Sequence, residues 1–587
     1  MYPYGLIGNC QASALVHSSG SIDWFCAPRP DSPPVFGKLL DPEGGEFSIS
    51  PEKVVRSEQY YLPNTNILAT EITGEDGAFK ITDFCPRFKQ HGRMYRPTAI
   101  FRIVEPLTGN PTIRVKCRPV SGWDKVLVKP TSGNSHLRFE MRDDFFRVVT
   151  SMSLTHFSEE TPLSLSEPIY FALTWSAGLE EELRGVTKDF LSRTIQYWHT
   201  WVKHCSIPSE FQKETIRSAL ALKLHCYEDT GAILAAMTTS LPEEIGKPRN
   251  WDYRLCWLRD SYFTLTAFHN LGHFEEMEGF LKFLLGLTRT AETLKPVYRI
   301  DGSIPIPETE HENWAGFLNS RPVRSNNQAA IHVQNDVFGE MILALAPIYF
   351  DERFHHLRTL EHEKLLELLA LQCAENISKP DAGLWEMRNG WQEHSFTNLM
   401  CWAGLDRVSV LRRKGYLKGL TFDVDGAKEK TVQAIQKAIR DGSVRNGPED
   451  ASFNAGLLQM PILRFPDQNL ARQTMTAIAD ELRFDSKVDR KYFLYRYKRE
   501  DDFGVPQASF LFCSFWLVQS LARYGLLSEG RSELERIVTQ AANPLGLFSE
   551  HFIPESRMQL GNFPQGYSHV GQINAAFAVS PPWSEVL

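Results

Sequence analysis

Several common functional signatures are absent from this sequence, and each absence narrows what the protein can do. It contains no GxxxxGK[ST] or GxGxxG loop, which argues against a nucleotide enzyme, and no HExxH segment of the zinc-protease type. Its 10 cysteines are scattered singly, without a CxxC pair or a cysteine and histidine spacing typical of zinc sites. We therefore expect mostly buried free thiols, no bound metal and no cofactor.

Long apolar runs and long runs of one charge are also missing. No stretch of about 18 apolar residues occurs, so no membrane-spanning helix is predicted. The first twenty residues lack a basic segment followed by an apolar one, from which we expect a cytoplasmic location. The net charge of -8 is spread along the chain, which is not typical of proteins that bind nucleic acid or anionic membranes. A small neutral ligand fits this charge balance better.

The length and composition are those of a large soluble protein. The chain has 587 residues, of which 42% are hydrophobic and 23% are charged. This length predicts roughly two to four domains, or one large helical toroid with an accessory unit. No repeat with a period of 20 to 50 residues is visible, which argues against a solenoid.

The first part of the chain shows the two-residue periodicity of half-buried strands. Asp76 and Gly77 separate two β-prone runs and predict a hairpin turn, because both residue types tolerate positive φ. We expect an antiparallel β-sandwich over residues 1–177. In the segments TIRVKCR and HLRFEMR, apolar residues alternate with charged ones; the apolar residues are Ile113, Val115, Cys117, Leu137, Phe139 and Met141.

The periodicity changes near residue 178. Residues 209–587 contain helix-like segments separated by long loops, and their number suits a toroid of paired helices. The loops are rich in tryptophan, arginine and acidic residues, which favours chemistry on the loop face. A linker helix is predicted over residues 178–208, where apolar residues recur at helical spacing at Leu191, Ile195, Trp198 and Val202.

Four loop segments combine flat aromatic side chains with carboxylates and guanidinium groups. Aromatic rings cover the apolar faces of a pyranose, while charged groups hydrogen-bond its hydroxyls, so this mixture predicts a pocket for a neutral sugar. For each residue taken alone, a purely structural role competes, since tryptophan usually packs in a core and glutamate is usually a surface charge. The segments are PRNWDYRLCWLRDS (248–261), SRPVRSNNQAAIHVQND (320–336), DAGLWEMRNG (381–390) and GLFSEHFIPESRMQLGNFPQGYSH (546–569).

At these segments the sequence resembles glycoside hydrolase family 15, which includes glucoamylases, glucodextranases and microbial trehalases. The segment GSIDWFCAPRPDSPPVFGKLLD (20–41) is similar to the start of the β-domain in the trehalase-like branch, and the four loops follow in the family's order. The resemblance covers almost the whole chain. It implies a multidomain protein in which an N-terminal antiparallel β-sandwich is followed by an (α/α)6 barrel.

The resemblance also implies a role for particular carboxylates and their neighbours. Glu386 of LWEMR corresponds to the general acid, and Glu550 of LFSEHF corresponds to the general base. The WLRD segment, which holds the terminal glucose in the family, corresponds here to Trp257, Arg259 and Asp260. For Arg259 and Asp260 an internal ion pair that fixes the loop is the competing interpretation.

Three further residues complete the expected substrate-binding set. Tyr253 matches a tyrosine near the catalytic water, and Trp385 and Arg324 lie in the loops that resemble the family. For Arg324, a salt bridge at a helix entry competes with direct sugar contact. The histidines of these loops show no ligand spacing, so no metal role is predicted for them; they are His311, His332 and His394.

The sequence departs from the family pattern in two places. It has PRPDSP where PRFDSP is typical, and PVRSNNQA where PVRIGNAA is typical. The second change puts Asn326 at a position where glycine is usual. Asparagine adopts left-handed φ more readily than most residues, so we expect the turn to survive.

An inverting glycosidase needs one protonated carboxyl to protonate the leaving oxygen and one ionised carboxyl to activate water. The neighbours Leu384, Trp385 and Met387 predict an apolar setting that would keep Glu386 protonated. A polar setting is predicted for Glu550, whose sequence neighbours include serine and histidine.

The main functional prediction is an inverting, glucoamylase-like hydrolase that releases terminal glucose, as the β-anomer, from α-glucosides or α-glucan ends. An α,α-trehalase is the alternative with the same fold and catalytic pair. Outside this class, a sugar phosphorylase or a non-catalytic sugar-binding protein remain open, although Glu550 argues against the phosphorylase. The expected partner is a small neutral oligosaccharide or disaccharide, and turnover should need no metal.

Overall fold

The computed structural model describes residues 1–179, 181–290, 293–484 and 492–587. Its N-terminal part is built from strands, with one short helix, α1 (Leu154–Ser158). The strands are β1 (Tyr4–Gly8), β2 (Ser13–His17), β3 (Ser21–Cys26), β4 (Pro34–Phe36), β5 (Glu46–Ser50), β6 (Arg56–Tyr61), β7 (Leu68–Thr73), β8 (Gly77–Phe84), β9 (Phe88–Gln90), β10 (Arg93–Tyr95), β11 (Ala99–Gly109), β12 (Thr112–Arg118), β13 (Pro130–Ser132), β14 (His136–Glu140), β15 (Phe145–Thr150), β16 (Leu163–Ser164) and β17 (Ile169–Trp175).

Two large antiparallel sheets organise these strands. One has the order β1-β2-β3-β5-β12-β16, with β4 beside β3, and the other has the order β13-β14-β15-β17-β11-β8-β7-β6. Their inner faces meet, since the rings of Phe47 in β5 and Phe171 in β17 lie 5.8 Å apart. The N-terminal antiparallel sheets predicted from the sequence are thus confirmed.

The strand periodicity predicted from the sequence is also found. Ile113 and Val115 of β12 and Leu137 and Phe139 of β14 are buried, while the alternate residues are more exposed. Strands β7 and β8 form the expected hairpin, closed by a hydrogen bond of 2.8 Å from the Gly74 amide to the carbonyl of the first residue of β8. In these two strands, burial of every second side chain gives one apolar face. Other strands, such as β3, are buried along their whole length.

Helices dominate the rest of the chain. They are α2 (Leu183–Lys203), α3 (Gln212–His225), α4 (Leu258–Leu271), α5 (Phe274–Thr290), α6 (Asp336–Leu345), α7 (Pro347–Phe350), α8 (Leu360–Glu375), α9 (Ser395–Arg413), α10 (Val424–Lys437), α11 (Gln459–Leu463), α12 (Gln468–Glu481), α13 (Leu511–Arg523), α14 (Leu527–Ala541), α15 (Gly566–Val579) and α16 (Trp583–Val586). Among the described residues, no helix combines the length and apolar composition needed to cross a bilayer.

Helix α2 lies where the helical periodicity was predicted. The side chain of Glu182 caps it by accepting hydrogen bonds from the amides of Arg184 and Gly185, which stabilises the otherwise unpaired first turn. Trp198 and Val202 are buried on one face of α2. Helix α2 also packs against β9 and β17, and the ring of Phe190 lies 5.1 Å from that of Phe88 and 5.6 Å from that of Phe101.

Six segments pack side by side in the helical part. Helix α4 packs against α6, α6 against α9, α9 against residues 455–458, these against α13, α13 against α15, and α15 against α4. The loops that precede these helices carry short strands and the residues of the cavity described below. The strands are β18 (Cys226–Tyr227), β19 (Ala232–Ile233), β20 (Cys256–Trp257), β21 (Val297–Tyr298), β22 (Thr309–His311), β23 (Val323–Ser325), β24 (Ile439–Arg440), β25 (Ser443–Val444), β26 (Ser509–Phe510), β27 (His551–Ile553) and β28 (Met558–Leu560).

The cysteines are free thiols throughout, and eight of them are buried. The expectation of mostly buried thiols is therefore confirmed. Cys117 and Cys205 are half-buried. For Cys205, burial raises the pKa to about 12, so its thiol stays protonated at neutral pH.

Candidate active site

A cavity with two lobes is lined by loops that lead into α4, α6, α9, α13 and α15. The inner lobe contains about 470 Å³ and the outer lobe about 520 Å³ of space that no protein atom occupies, including the open solvent at their mouths. Four residues line both lobes: Tyr253, Trp385, Glu386 and Arg496. Glu386 therefore lies at the junction of the two lobes.

The inner lobe brings together seven of the eight site residues predicted from the sequence, although they come from three distant loops. Their convergence was implied by the family resemblance, and the cavity lining now gives it a physical basis. Arg324 is the predicted residue that does not line either lobe. The inner lobe is lined by the four shared residues and by Ala235, Trp257, Arg259, Asp260, Leu384, Phe510, Glu550, Gln565 and Tyr567.

The two oxygens of the Glu386 carboxylate have different surroundings. Oε1 accepts hydrogen bonds from Trp257 Nε1 at 2.7 Å, Arg259 Nη2 at 3.0 Å and Gln334 Nε2 at 3.1 Å. No hydrogen bond from the described residues reaches Oε2. Since Oε1 is already surrounded by donors, a proton on this carboxyl group belongs on Oε2.

These contacts differ from the apolar setting that the sequence predicted for Glu386. The neighbours Leu384 and Met387 are buried, but the carboxylate is held by donors from other loops. The adjacent Trp385 donates its Nε1 to Asn454 Oδ1 at 3.0 Å and so fixes the wall of the cavity. Hydrogen bonds, and not apolar contact alone, hold the acid in place.

The backbone at Glu386 is in the left-handed region, with φ at 58°. For a residue with a side chain this conformation costs roughly 1–2 kcal/mol. The turn is closed by hydrogen bonds from the Glu386 amide to the Gly383 carbonyl and from the Met387 amide to the Ala382 carbonyl. A Cβ at position 383 would lie 2.7 Å from the ring of His394, so only glycine fits there.

Arg259 connects the carboxylate of Glu386 to other side chains around the inner lobe. Besides Glu386, its guanidinium donates to Gln334 Oε1 at 2.5 Å and to Tyr567 Oη at 3.2 Å, and it lies 3.6 Å from Asp336 Oδ2. Among the described residues it forms no ion pair with Asp260, so the competing interpretation of an Arg259 and Asp260 pair is not supported. Arg259 instead orients the carboxylate of Glu386.

Asp260 lies in the first turn of α4 and is 6% exposed. Burial raises its pKa to about 7, opposed by the charge of Arg259 and by a hydrogen bond from Tyr567. The helix N-terminus supplies partial positive charge beside it. Asp260 lines the inner lobe, where its carboxyl group can hydrogen-bond a sugar hydroxyl.

We expect Asp260→Asn to lower kcat/KM for the sugar substrate by at least roughly tenfold, because a contact that strengthens in the transition state is lost. Stability should respond differently. The pKa of Asp260 is about 7 in the folded protein against 3.8 for a free side chain, so wild-type stability falls as pH rises through this window. The melting temperature of Asp260→Asn relative to wild type should thus increase between pH 4 and 7. A large loss of melting temperature with intact kcat/KM would contradict this role.

Glu550 lies at the open end of the hairpin formed by β27 and β28, and it is 4% exposed. Its carbonyl accepts a hydrogen bond of 3.1 Å from the Leu511 amide, which ties the hairpin to α13. Its Oε2 lies 3.4 Å from His551 Nδ1. The polar setting predicted for Glu550 is thus present.

Glu243, Glu550 and His551 form a compact buried cluster that the sequence did not indicate. One potential ligand atom from each lies within 4.8 Å of the others, close enough to hold a metal ion. Arg496 already neutralises Glu243 through hydrogen bonds of 2.9 and 3.3 Å. Since that charge is balanced, we keep the expectation of turnover without a metal.

Tyr253 faces both carboxylates of the expected catalytic pair. Its ring packs edge-on against Trp257 at 5.3 Å. Burial and then the charge of Glu550 raise the pKa of Tyr253 well above its usual range. The hydroxyl therefore stays protonated and is available as a hydrogen-bond donor in the inner lobe.

Arg324 braces two loops outside the cavity. Its guanidinium donates to the carbonyls of Pro248 and Asn250 at 2.9 and 2.6 Å and pairs with Glu310 at 3.0 Å. These bonds account for its nitrogens, so in this structure Arg324 supports the loop before α4 and does not face the inner lobe. The salt-bridge interpretation describes its environment better than sugar contact does.

The outer lobe is lined by arginines that are each matched by a carboxylate. Nη2 of Arg388 donates to both carboxylate oxygens of Glu308, at 2.9 and 3.0 Å, and Arg249 pairs with Asp501. Together with the pairing of Arg496 described above, this leaves the lobe polar without an unmatched cation among the described lining residues. Flat aromatic walls are supplied by Trp251, Trp385, Tyr497 and Phe503.

Some residues that line the cavity or hydrogen-bond its carboxylates could be found from the sequence, and others could not. Gln334 and Tyr567 lie within the aromatic and charged loops already singled out, whereas Glu243 and Arg496 lie in segments with no distinguishing pattern. Asn326 has φ at 62°, so the turn expected to survive the loss of glycine is indeed left-handed. Its Oδ1 also accepts a hydrogen bond of 2.7 Å from Arg299.

Comparison with known proteins is consistent with this geometry. The model for glycosyl hydrolases family 15 matches residues 211–541, which is more than half of the chain. The chain belongs to glycosyl hydrolase family 15. A second model, described as trehalase-like N-terminal, matches residues 3–153 of this family 15 protein.

Relatives of the family 15 protein align along nearly its whole length. A trehalase of Mycolicibacterium smegmatis is 31% identical over 627 residues, covering 98% of this chain and 90% of the relative. A trehalase of Thermoplasma acidophilum is 30% identical over 595 residues, covering 96% of this chain and 97% of the relative. A crystal structure of a bacterial glucoamylase complexed with acarbose shares the fold, with a TM-score of 0.68 at 12% identity over 98% of this chain and 94% of that chain.

Proposed function

We propose that this family 15 protein is an inverting α-glucoside hydrolase whose preferred substrate is α,α-trehalose. The observation that carries the proposal is the similarity to trehalases along at least 96% of the chain, including the N-terminal strands. A glucoamylase-like activity on α-glucan ends is the broader alternative. Trehalose has priority because relatives that align along nearly the whole chain are trehalases.

The position of Glu386 supports a disaccharide substrate. It lies between two lobes, so one glucose ring would occupy the inner lobe and the other the outer lobe, with the bridging oxygen beside Glu386. Asp260, Arg259 and Trp257 would bind the inner ring. Three donors on Oε1 leave Oε2 to carry the proton toward the bridging oxygen.

The proposed reaction is a single displacement by water. Glu386 gives its proton to the bridging oxygen as the bond from C1 of the inner glucose to that oxygen breaks. Glu550 takes a proton from water, whose oxygen forms the new bond to C1 on the opposite face. The inner glucose leaves as the β-anomer and the outer glucose as the α-anomer. Both carboxyl groups then recover their protonation states by exchange with solvent.

The charges of the outer lobe favour hydrolysis over phosphorolysis. A phosphorylase would need unmatched cations to hold phosphate at the position of the base. The described arginines that line the lobe are paired with acids. In the proposed reaction, Glu550 is the group that acts as the base. The same pairing favours an uncharged sugar over a phosphorylated one.

We further propose that residues 209–587 form an (α/α)6 barrel, joined by residues 178–208 to a β-sandwich of residues 1–177. The sequence of helix contacts that returns from α15 to α4 supports the barrel. In this arrangement the N-termini of α4, α6, α9, α13 and α15 face the cavity, and their partial positive charge stabilises its carboxylates.

Substrate preference and anomer analysis test the proposal together. We expect glucose release from trehalose to exceed that from maltose, isomaltose and maltotriose by at least about 10²-fold in kcat/KM, since a pocket built for one linkage leaves polar groups unpaired with another. Proton NMR of the first turnovers should show α- and β-glucose in equal amounts. Preference for maltotriose would favour glucan ends, and release of α-glucose alone would refute inversion.

A further inference from the structure

Tyr2, at the start of the N-terminal sheets, contacts the hairpin that carries Glu550. It is 2% exposed, and its backbone amide donates to Gln559 Oε1 at 2.9 Å. Its hydroxyl donates to the Gly561 carbonyl at 3.1 Å. Its ring packs against Phe563 at 5.1 Å. The amide, the hydroxyl and one side of the ring of Tyr2 therefore contact the hairpin or the chain that follows it, while the ring also packs against Phe317 at 5.4 Å.

The side chain of Glu550 packs against the backbone of Gly561. The two residues face each other at the open end of the hairpin, just beyond the last paired residues His551 and Leu560. A Cβ on Gly561 would lie 2.5 Å from Glu550 Oε2 and 2.8 Å from its Cβ. The glutamate thus packs directly on the glycine backbone, and a shift of that backbone shifts the carboxylate.

Both backbone groups of Gly561 are held by other segments. Its amide donates to the Pro242 carbonyl at 2.8 Å, and its carbonyl accepts the hydroxyl of Tyr2. On the other side of Tyr2, the side chain of Asn543 donates to the carbonyls of Tyr2 and Tyr4 at 3.2 and 3.0 Å. The charge of Glu550, after burial, contributes to the raised pKa of Tyr2, as expected for neighbouring groups.

We propose that Tyr2 is a positioning residue for Glu550, acting through the backbone of Gly561. It does not touch the substrate; its hydroxyl and ring set the place of the glycine on which the carboxylate rests. This gives the N-terminal sheets a part in catalysis beyond stability. The inference rests on the proposed function, in which Glu550 activates water.

The consequence for kinetics is specific. A displaced base lowers the rate of water attack without changing how the sugar binds, so kcat should fall while KM stays nearly constant. The loss should be the same for trehalose and for α-glucosyl fluoride, because water activation is common to both substrates. A residue that only stabilises the fold would leave kcat of the folded protein unchanged.

The test compares three variants of the full chain. Tyr2→Phe removes the hydrogen bond to Gly561, and Tyr2→Ala also removes the ring. Tyr61→Phe is the matched control, because it also removes a tyrosine hydroxyl that bonds the N-terminal segment: this hydroxyl accepts from the amide and donates to the carbonyl of Leu6 in β1, each at 2.8 Å. We expect kcat to fall about tenfold for Tyr2→Phe and about 10²-fold for Tyr2→Ala, with KM within about twofold. Tyr61→Phe should keep its kcat even where its melting temperature drops.

Glu550→Gln separates failure of the inference from failure of the proposed function. If Glu550→Gln keeps its activity, Glu550 is not the base and the proposed function fails, whatever Tyr2 does. If Glu550→Gln is inactive while Tyr2→Phe keeps its kcat, the positioning role of Tyr2 is refuted. A loss of trehalose hydrolysis in Tyr2→Phe that spares the fluoride would also refute it. Should Tyr2→Ala not fold, Tyr2→Phe decides.

Discussion

Glu386→Gln should lower trehalose hydrolysis by about 10²–10⁴-fold, the usual contribution of a general acid. The same variant should hydrolyse α-glucosyl fluoride at a rate much closer to wild type, because fluoride leaves with little need for protonation. The glutamine keeps an oxygen at Oε1 that can accept from Trp257, Arg259 and Gln334, so the local geometry should survive. The loss would then report the missing proton and not a displaced side chain.

Glu550→Gln should lower the rates of hydrolysis of trehalose and of α-glucosyl fluoride by a similar factor, since water must be activated in either case. Initial rates of glucose and fluoride release measure the two reactions. Glu312→Gln, which changes an exposed glutamate in a neighbouring loop, serves as the control and should behave as wild type. Equal residual activity of Glu386→Gln and Glu550→Gln on the fluoride would refute the assignment of acid and base.

Substitution of Arg259 should have the second large effect, on both stability and kcat/KM. Arg259→Met should lower stability by about 3–5 kcal/mol, because a buried ion pair loses one partner and leaves carboxylates without compensation. Arg259→Lys retains the charge but loses the planar fork that reaches Glu386, Gln334 and Tyr567 together. For Arg259→Lys we expect kcat/KM to fall by about 10²-fold, since the carboxylate of Glu386 would no longer be held in a fixed position.

Denaturant unfolding and steady-state kinetics measure these two effects separately. Arg102→Lys provides the matched control: Arg102 pairs with Asp83 at 2.7 and 3.2 Å, and both side chains are fully buried in the N-terminal sheets. It should lose stability while the folded protein keeps its kcat. If Arg259→Lys resembles this control, with stability lost and activity kept, Arg259 does not position the acid.

Local sequence patterns predicted the elements of the fold well. Alternating residues such as Ile113 and Val115 are visible without tertiary information, because one sheet face must be buried. The conformation of Asn326 could also be anticipated, since its turn depends on a single φ angle. These properties are set within a few residues of chain.

The contacts within the site could not be read from such patterns. The donors to Glu386 come from positions 52 to 129 residues away along the chain. Arg324 and Arg259 were both predicted to bind substrate, with an ion pair as the competing interpretation for each, yet only Arg259 lines the cavity. The difference arises from which loop carbonyls lie near each guanidinium, a property of the assembled fold. Arg496 and Glu243 were missed for the same reason.

The bond between Tyr2 and the Glu550 hairpin has a consequence for biosynthesis. Tyr2 and Gly561 are 559 residues apart, so ribosomes adding about 5–20 residues per second deliver the hairpin roughly 30 s to 2 min after Tyr2. Until then, the hydroxyl of Tyr2 lacks its acceptor on Gly561. The contact between Tyr2 and Gly561 closes one of the longest loops in the chain. A nascent chain therefore contains Glu386 before Glu550 has been synthesised and positioned against Gly561. We expect hydrolytic activity to appear only once residue 561 has left the ribosome and docked.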